Sequence, residues 1–139
     1  MDALVIRGSR RRPSRTRRLM QVVETAARDR GLDPIVLDLG ETDQALFDGR
    51  PFGDYDAPTR RAVRALMDAD VWFLGSPVYF SGYPGALKNL FDLLPYEEFA
   101  GTRRAAGLFV CGRDRRHMFA VETQFRPLLR YLGVDVARD

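Results

Sequence analysis

Residues 8 to 16 read Gly8-Ser9-Arg10-Arg11-Arg12-Pro13-Ser14-Arg15-Thr16, hydroxyls and guanidiniums opened by a glycine. Such a run binds anions when it leaves a strand and opens a helix. The N–H groups of a helix's first turn have no intrahelical partner, and the helix dipole favours negative charge there. Ser9, Ser14 and Thr16 add hydroxyl donors, and Arg11 adds a fork of N–H donors. The expected ligand is a phosphate. The run matches neither G-x-x-x-x-G-K-[ST] nor G-x-G-x-x-G, so a single phosphomonoester fits better than a nucleoside triphosphate or a dinucleotide. A second reading makes Ser14 or Thr16 a plain helix N-cap and the arginines a solvated face.

A second group is Ser76-Pro77-Val78-Tyr79-Phe80-Ser81-Gly82-Tyr83-Pro84. It sets three aromatics in a turn that should meet water. Aromatics there suit stacking on a flat ring. They would equally close the core or form a dimer surface. A third stretch, Cys111-Gly112-Arg113-Asp114-Arg115-Arg116-His117, adds cations that either hold a second phosphate or are simply exposed. Cys111 reads as a small apolar residue at a strand end, with a redox role as the competing reading. His117 is the only histidine and reads as a surface or helix-start residue, with no cysteine cluster or second histidine to make a metal site.

These groups need elements to hold them. Ala3–Arg7 is an apolar run that reads as a first strand. Arg17–Arg30 has Leu19, Val22, Val23 and Ala26 at helical spacing, with Gly31 as its stop. Pro34–Leu39 is a second strand, and Gly40 to Tyr55 a long surface loop. Asp56 caps a helix to about Met67. Val71–Gly75 and Ala105–Cys111 read as strands buried on both faces. A helix over Pro84–Leu94 lies between them, with Pro84 in its first turn. A last helix spans Arg116–Leu132, with a kink or break predicted at Pro127. Val134–Ala137 is a short fifth strand. Trp72 is read as core.

Strands alternating with helices imply βαβ units, a parallel sheet and helices on both faces. Ligands in such sheets sit beyond the carboxyl ends of the strands. Three loops leave those ends: Gly8–Arg15, Ser76–Tyr83 and Gly112–Arg115. All three carry the groups described above.

Composition narrows the function. A chain of 139 residues is most simply one domain, and 45% hydrophobic content supports a packed core. One cysteine excludes an intrachain disulfide framework and a multi-cysteine metal site. No apolar run approaches the ~18 residues of a membrane span, and the first residues lack a signal peptide's apolar segment, so a cytoplasmic protein without membrane association is expected. The charge of +3 is uneven: residues 1–18 hold seven arginines against Asp2 alone, while the remainder is mildly acidic. No nucleic-acid-binding motif accompanies that patch, so no nucleic-acid partner is expected.

Gly8-Ser9-x-Arg11-x-x-Ser14-x-Thr16-x-x-Leu19, followed by Pro77-x-Tyr79-x-x-x-x-Pro84-Gly85-x-Leu87-Lys88-Asn89-x-x-Asp92, resembles the NADPH-dependent FMN reductase family of flavodoxin-like proteins. The resemblance runs from the start to about Gly133. It implies a three-layer, doubly wound parallel α/β sheet in the order 2-1-3-4-5, with a short fifth strand, forming one FMN-binding domain over 1–139. Ser9, Arg11, Ser14, Arg15 and Thr16 would hold the FMN phosphate. Pro77, Val78, Tyr79 and Phe80 would border the isoalloxazine, partly through backbone N–H and C=O groups. Cys111 and Gly112 would approach the ring from the third loop. There the family tends to glycines, and only Gly112 remains in this chain.

The activity implied is hydride transfer from NADPH or NADH through FMN to a quinone, azo compound, flavin or similar small acceptor, with no catalytic acid or base and no metal. A non-enzymatic FMN electron carrier, and a flavodoxin-like binding module without flavin, are the alternative readings. Lys88, Asn89 and Asp92 would fix the second loop and a homodimer or tetramer interface. Family members usually continue past the fifth strand, whose edge would otherwise need a covering partner.

Overall fold

The computed structural model describes residues 1–137, and the expected domain's last two residues, Arg138 and Asp139, lie outside it. Five strands form one sheet: β1 (Ala3–Arg7), β2 (Ile35–Asp38), β3 (Val71–Pro77), β4 (Arg104–Cys111) and β5 (Val134–Val136). Their order is β2-β1-β3-β4-β5 and every pairing is parallel. The switch point falls between β1 and β3, whose carboxyl ends lead into the first two chemical loops.

Helix α1 (Arg15–Arg28) starts two residues before the expected position. The reason is its cap: Ser14 Oγ accepts the Arg17 N–H at 3.1 Å. Asp56 caps α2 (Ala57–Asp68) through the Thr59 N–H at 2.7 Å. Helix α3 (Gly85–Asp92) follows Pro84, which stands at the cap rather than inside the first turn. A single turn, α4 (Tyr96–Phe99), has no counterpart in the sequence expectation. The last expected helix is continuous but changes its winding, from a 3-10 turn at Arg115–Met118 through a π turn at Val121–Phe125 to α5 (Arg126–Tyr131). Pro127, which has no N–H to give, directly follows the π turn, the wider winding standing where an ordinary α-helical bond would be lost.

The larger core lies on one face, under α2, α3, α4 and α5. Trp72 is fully buried there, with ring centroids 6.1 Å from Phe91 and 5.8 Å from Phe99. Its indole N–H donates to the Leu66 carbonyl at 3.1 Å, which satisfies the one polar atom buried with it. Leu4, Ile6, Leu74, Leu87 and Phe125 fill the space around it.

The other face carries α1, whose Met20 lies on Gly75. A Cβ on Gly75 would come within 2.2 Å of Met20 Cγ. Only α1 lies on this face among the described residues, and it touches β1, β3 and β4. The expectation that β4 is buried on both faces is therefore corrected. Ala105, paired with Val71, is exposed, and residues 107 to 111 are only half-buried. One helix does not span the sheet's width.

The long loop after β2 is anchored. Gln44 Nε2 donates to the Ala86 carbonyl at 2.7 Å, the Ala45 N–H donates to Thr59 Oγ1 at 2.8 Å, and the Phe47 N–H donates to Asn89 Oδ1 at 2.8 Å. Asn89 returns a bond to the Ala45 carbonyl at 2.9 Å. Asn89 thus ties the loop after β2 to α3, and not the loop after β3 as expected. Among the described residues no helix is long and apolar enough to cross a membrane.

Candidate functional site

Ser9, Arg11, Pro13, Ser14, Arg15 and Thr16 form one side of a cavity of about 670 Å³. Pro77, Val78, Tyr79, Cys111 and Arg113 form the other. The three loops predicted from the strand order therefore meet, at the carboxyl ends of β1, β3 and β4. Of the eleven cofactor-site residues expected from sequence, nine line the cavity. Phe80 and Gly112 are exposed beside it, and Arg113 and Pro13 join the lining.

The hydroxyls are arranged as donors. Ser9 is buried and its Oγ accepts the Arg11 N–H at 3.2 Å. Ser14 Oγ caps α1. Each oxygen is spent as an acceptor towards the backbone, which leaves its O–H free to point at an anion. Thr16 is buried and its hydroxyl has no partner among the described residues. The N–H groups of Arg15 and Thr16, first in α1, have no intrahelical acceptor. Ser14 is the cap of α1 and also lines the cavity.

The arginine patch divides by partner. Arg7 binds Glu24 and Asp38, and Arg17 binds Asp38 and, at 2.7 Å, Glu41. Arg12 reaches Glu41 at 3.2 Å. Asp38 is only 6% exposed and Arg7 13%, so this is a largely buried network at the open end of β1 and β2. Glu41 is held below the usual carboxylate range by Arg17 first and then Arg12. Arg11, Arg15 and Arg113 have no acidic partner among the described residues and line the cavity. The acids thus neutralise the arginines that brace the fold and spare those that face the cavity, whose field favours an anion.

The second loop is tight. The Tyr79 N–H donates to the Gly82 carbonyl at 2.9 Å, and the Gly82 N–H donates to the Tyr79 carbonyl at 3.0 Å. Between them Phe80 and Ser81 have φ of 46° and 61°, left-handed values that favour glycine or asparagine. The turn throws the Phe80 side chain wholly into solvent. The Val78 N–H donates to the Cys111 carbonyl at 3.2 Å. The Val78 and Tyr79 N–H groups both donate within the protein. The Phe80 and Ser81 N–H groups keep no acceptor among the described residues. Tyr83 turns inward, its ring edge-on to Phe125 at 5.4 Å.

Lys88 and Asp92 pair with each other along α3. Among the described residues no group of three His, Cys, Asp or Glu side chains is placed to hold a metal ion.

A doubly wound parallel sheet with an anion loop at its switch point, walled by aromatic and proline-containing turns, defines a mononucleotide-binding α/β protein of flavodoxin-like architecture. A family model for NADPH-dependent FMN reductases matches residues 1–139, and the chain belongs to that family of oxidoreductases. The NADH-dependent FMN reductase SfnF of Pseudomonas putida is 33% identical over 130 residues, covering 92% of this chain and 69% of that protein. FMN reductase (NADPH) of Pseudomonas aeruginosa is 32% identical over 133 residues, covering 92% and 68%. The solved NADH:FMN oxidoreductase EMOB, in its apo form, superposes with a TM-score of 0.81 at 27% identity, covering 99% of this chain and 72% of that one.

Proposed function

We propose that this chain is an FMN-dependent NAD(P)H oxidoreductase, with FMN in the cavity at the switch point and NADPH or NADH as co-substrate. The observation that carries the reading is the donor set at one end of that cavity. Two buried hydroxyl residues, Ser9 and Thr16, lie beside the open first turn of α1 and the unpaired Arg11 and Arg15. That set fits a phosphomonoester dianion, because charge-assisted hydrogen bonds and two guanidiniums offset its desolvation. The cavity volume is within the range of small-molecule and cofactor sites.

Bound FMN supplies the ring that accepts hydride from the nicotinamide and passes reducing equivalents on to a small acceptor such as a quinone, azo compound or flavin. The protein's own part is positional. Ser9, Ser14 and Thr16 donate to the phosphate, and Arg11 and Arg15 balance its charge. Pro77 and Val78 give a wall that the Val78–Cys111 bond holds rigid, and Tyr79 closes the rim. No proton need be stored on a side chain, which fits a cavity lined by arginines and hydroxyls without a carboxylate.

A homodimer belongs to the same proposal. Leu46, Phe47 and Phe80 are exposed apolar side chains, the first two on the loop that Asn89 ties to α3. Sedimentation of the protein would show a two-chain species, and a monomer at all concentrations would remove this part.

The direct test is to load the purified protein with FMN, desalt it and record the visible spectrum. Retained flavin bands support the reading. Loss of all flavin, with no measurable affinity by titration, leaves a flavin-free binding module instead.

A further inference from the structure

The loop after β4 closes on one side chain, His117. A Cβ on Gly112 would lie 2.5 Å from His117 Cβ and 2.9 Å from its Nδ1, so the histidine packs directly on a residue that must be glycine. His117 Nδ1 accepts the Arg113 N–H at 2.6 Å and the Asp114 N–H at 3.2 Å. The His117 N–H donates to the Asp114 carbonyl at 3.2 Å. Asp114 Oδ1 accepts the Arg116 N–H at 2.9 Å, and its carboxylate binds the Arg116 guanidinium at 3.0 Å. Two consecutive backbone donors thus converge on a single imidazole lone pair. Two residues before Arg113 stands Cys111, whose carbonyl holds Val78, and both Cys111 and Arg113 line the cavity.

We propose that His117 is a positioning residue: its Nδ1 lone pair fixes the backbone from Gly112 to Asp114 and so holds Arg113 at the cavity. The consequence for ligand binding rests on the FMN reading given above. Of the three arginines in this loop, Arg116 is engaged by Asp114 and Arg115 does not reach the cavity, which leaves Arg113 as the cation that this loop supplies.

The test compares wild type, His117→Asn and His117→Phe. Asparagine offers a carbonyl oxygen to the same N–H groups, whereas phenylalanine fills the space without an acceptor. FMN affinity is read by flavin fluorescence quenching. Phe is expected to weaken FMN about tenfold and Asn to restore it to within about threefold.

Amide hydrogen exchange in the ligand-free protein is the second measurement. The Arg113 and Asp114 amides should be protected in wild type and His117→Asn and exchange freely in His117→Phe. Equal protection in all three, or FMN affinities that coincide, overturns the proposal. A wild type that binds no FMN at all defeats the flavin reading instead, and the exchange rates still decide the role of His117.

Discussion

Gly8 and Gly75 meet backbone to backbone: the Gly8 N–H donates to the Gly75 carbonyl at 2.8 Å, and a Cβ on Gly8 would stand 2.6 Å from that same oxygen. This contact sets the spacing between the loop after β1 and the end of β3, from which the second loop leaves. The approach requires that Gly8 have no side chain, while the missing side chain of Gly75 makes room for Met20.

Gly8→Ala should therefore destabilise the protein by about 1–3 kcal/mol, since a carbonyl within the sheet cannot swing aside. It should weaken FMN binding as well. Gly85→Ala is the control: nothing lies within 4 Å of its Cβ position and the site is helical, so a gain of up to about 1 kcal/mol is expected. Denaturant midpoints followed by Trp72 fluorescence would check both. Equal midpoints for the two variants would contradict the account of this contact.

Thr16→Val and Ser14→Ala separate binding from folding. Thr16 gives a hydroxyl with no partner among the described residues, so its removal should leave stability nearly unchanged. It should cost about 1.5–3 kcal/mol of FMN affinity, as for a hydrogen bond to a charged group. Ser14→Ala should lower both, because the α1 cap, worth about 0.5–2 kcal/mol, is lost with the donor. Calorimetric FMN titrations beside thermal melts measure the two effects. An unchanged affinity in Thr16→Val would place the phosphate elsewhere.

The Phe80–Ser81 turn carries two left-handed residues of types that disfavour it, at a cost of order 1–3 kcal/mol each. The double change Phe80→Asn with Ser81→Gly should raise the melting temperature, since that dipeptide suits both positions. Differential scanning calorimetry reads the shift directly. A lower melting temperature would mean that Phe80 makes a stabilising contact, as in a dimer.

Much of this was legible in the sequence, for a physical reason. β1 and β3 are short continuous apolar runs ended by loops of glycine, proline and hydroxyl residues, and such signals are local. The loops carrying Ser9, Ser14, Thr16, Pro77 and Tyr79 follow from those strand ends. What was not legible depends on distant partners. The pairing of Arg7 with Glu24 and Asp38, which sorts structural from cavity-facing arginines, spans separate elements. The exposure of β4 depends on how far α1 reaches. The turn at Tyr96–Phe99 is too short to show a period. His117 escaped because a lone histidine has no motif. Its one signal was Gly112 five residues earlier.

Glu24 gives the acid response its sign. Arg28 first, and Arg7 with it, hold its carboxyl below the ordinary value of 4.5. The backbone N–H of Thr59 acts likewise on Asp56. Folding therefore favours the ionised forms. Their contribution is complete above the unfolded values and is lost as the pH falls through the folded ones. The denaturant midpoint should stay level from neutrality to about pH 4.5 and then decline. Glu24→Gln should be less stable near neutrality by about 1–3 kcal/mol, because Arg7 loses a partner, and its acid decline should be shallower. Parallel pH curves for the two proteins would refute this.

The most direct test of the central claim is anaerobic stopped-flow mixing of the FMN-loaded protein with NADPH and, separately, NADH, followed at the flavin's visible absorption. The account predicts bleaching with at least one of the two nicotinamides, in a phase that saturates with its concentration. Protein that holds FMN yet is bleached by neither would contradict the oxidoreductase reading and leave an electron carrier in its place.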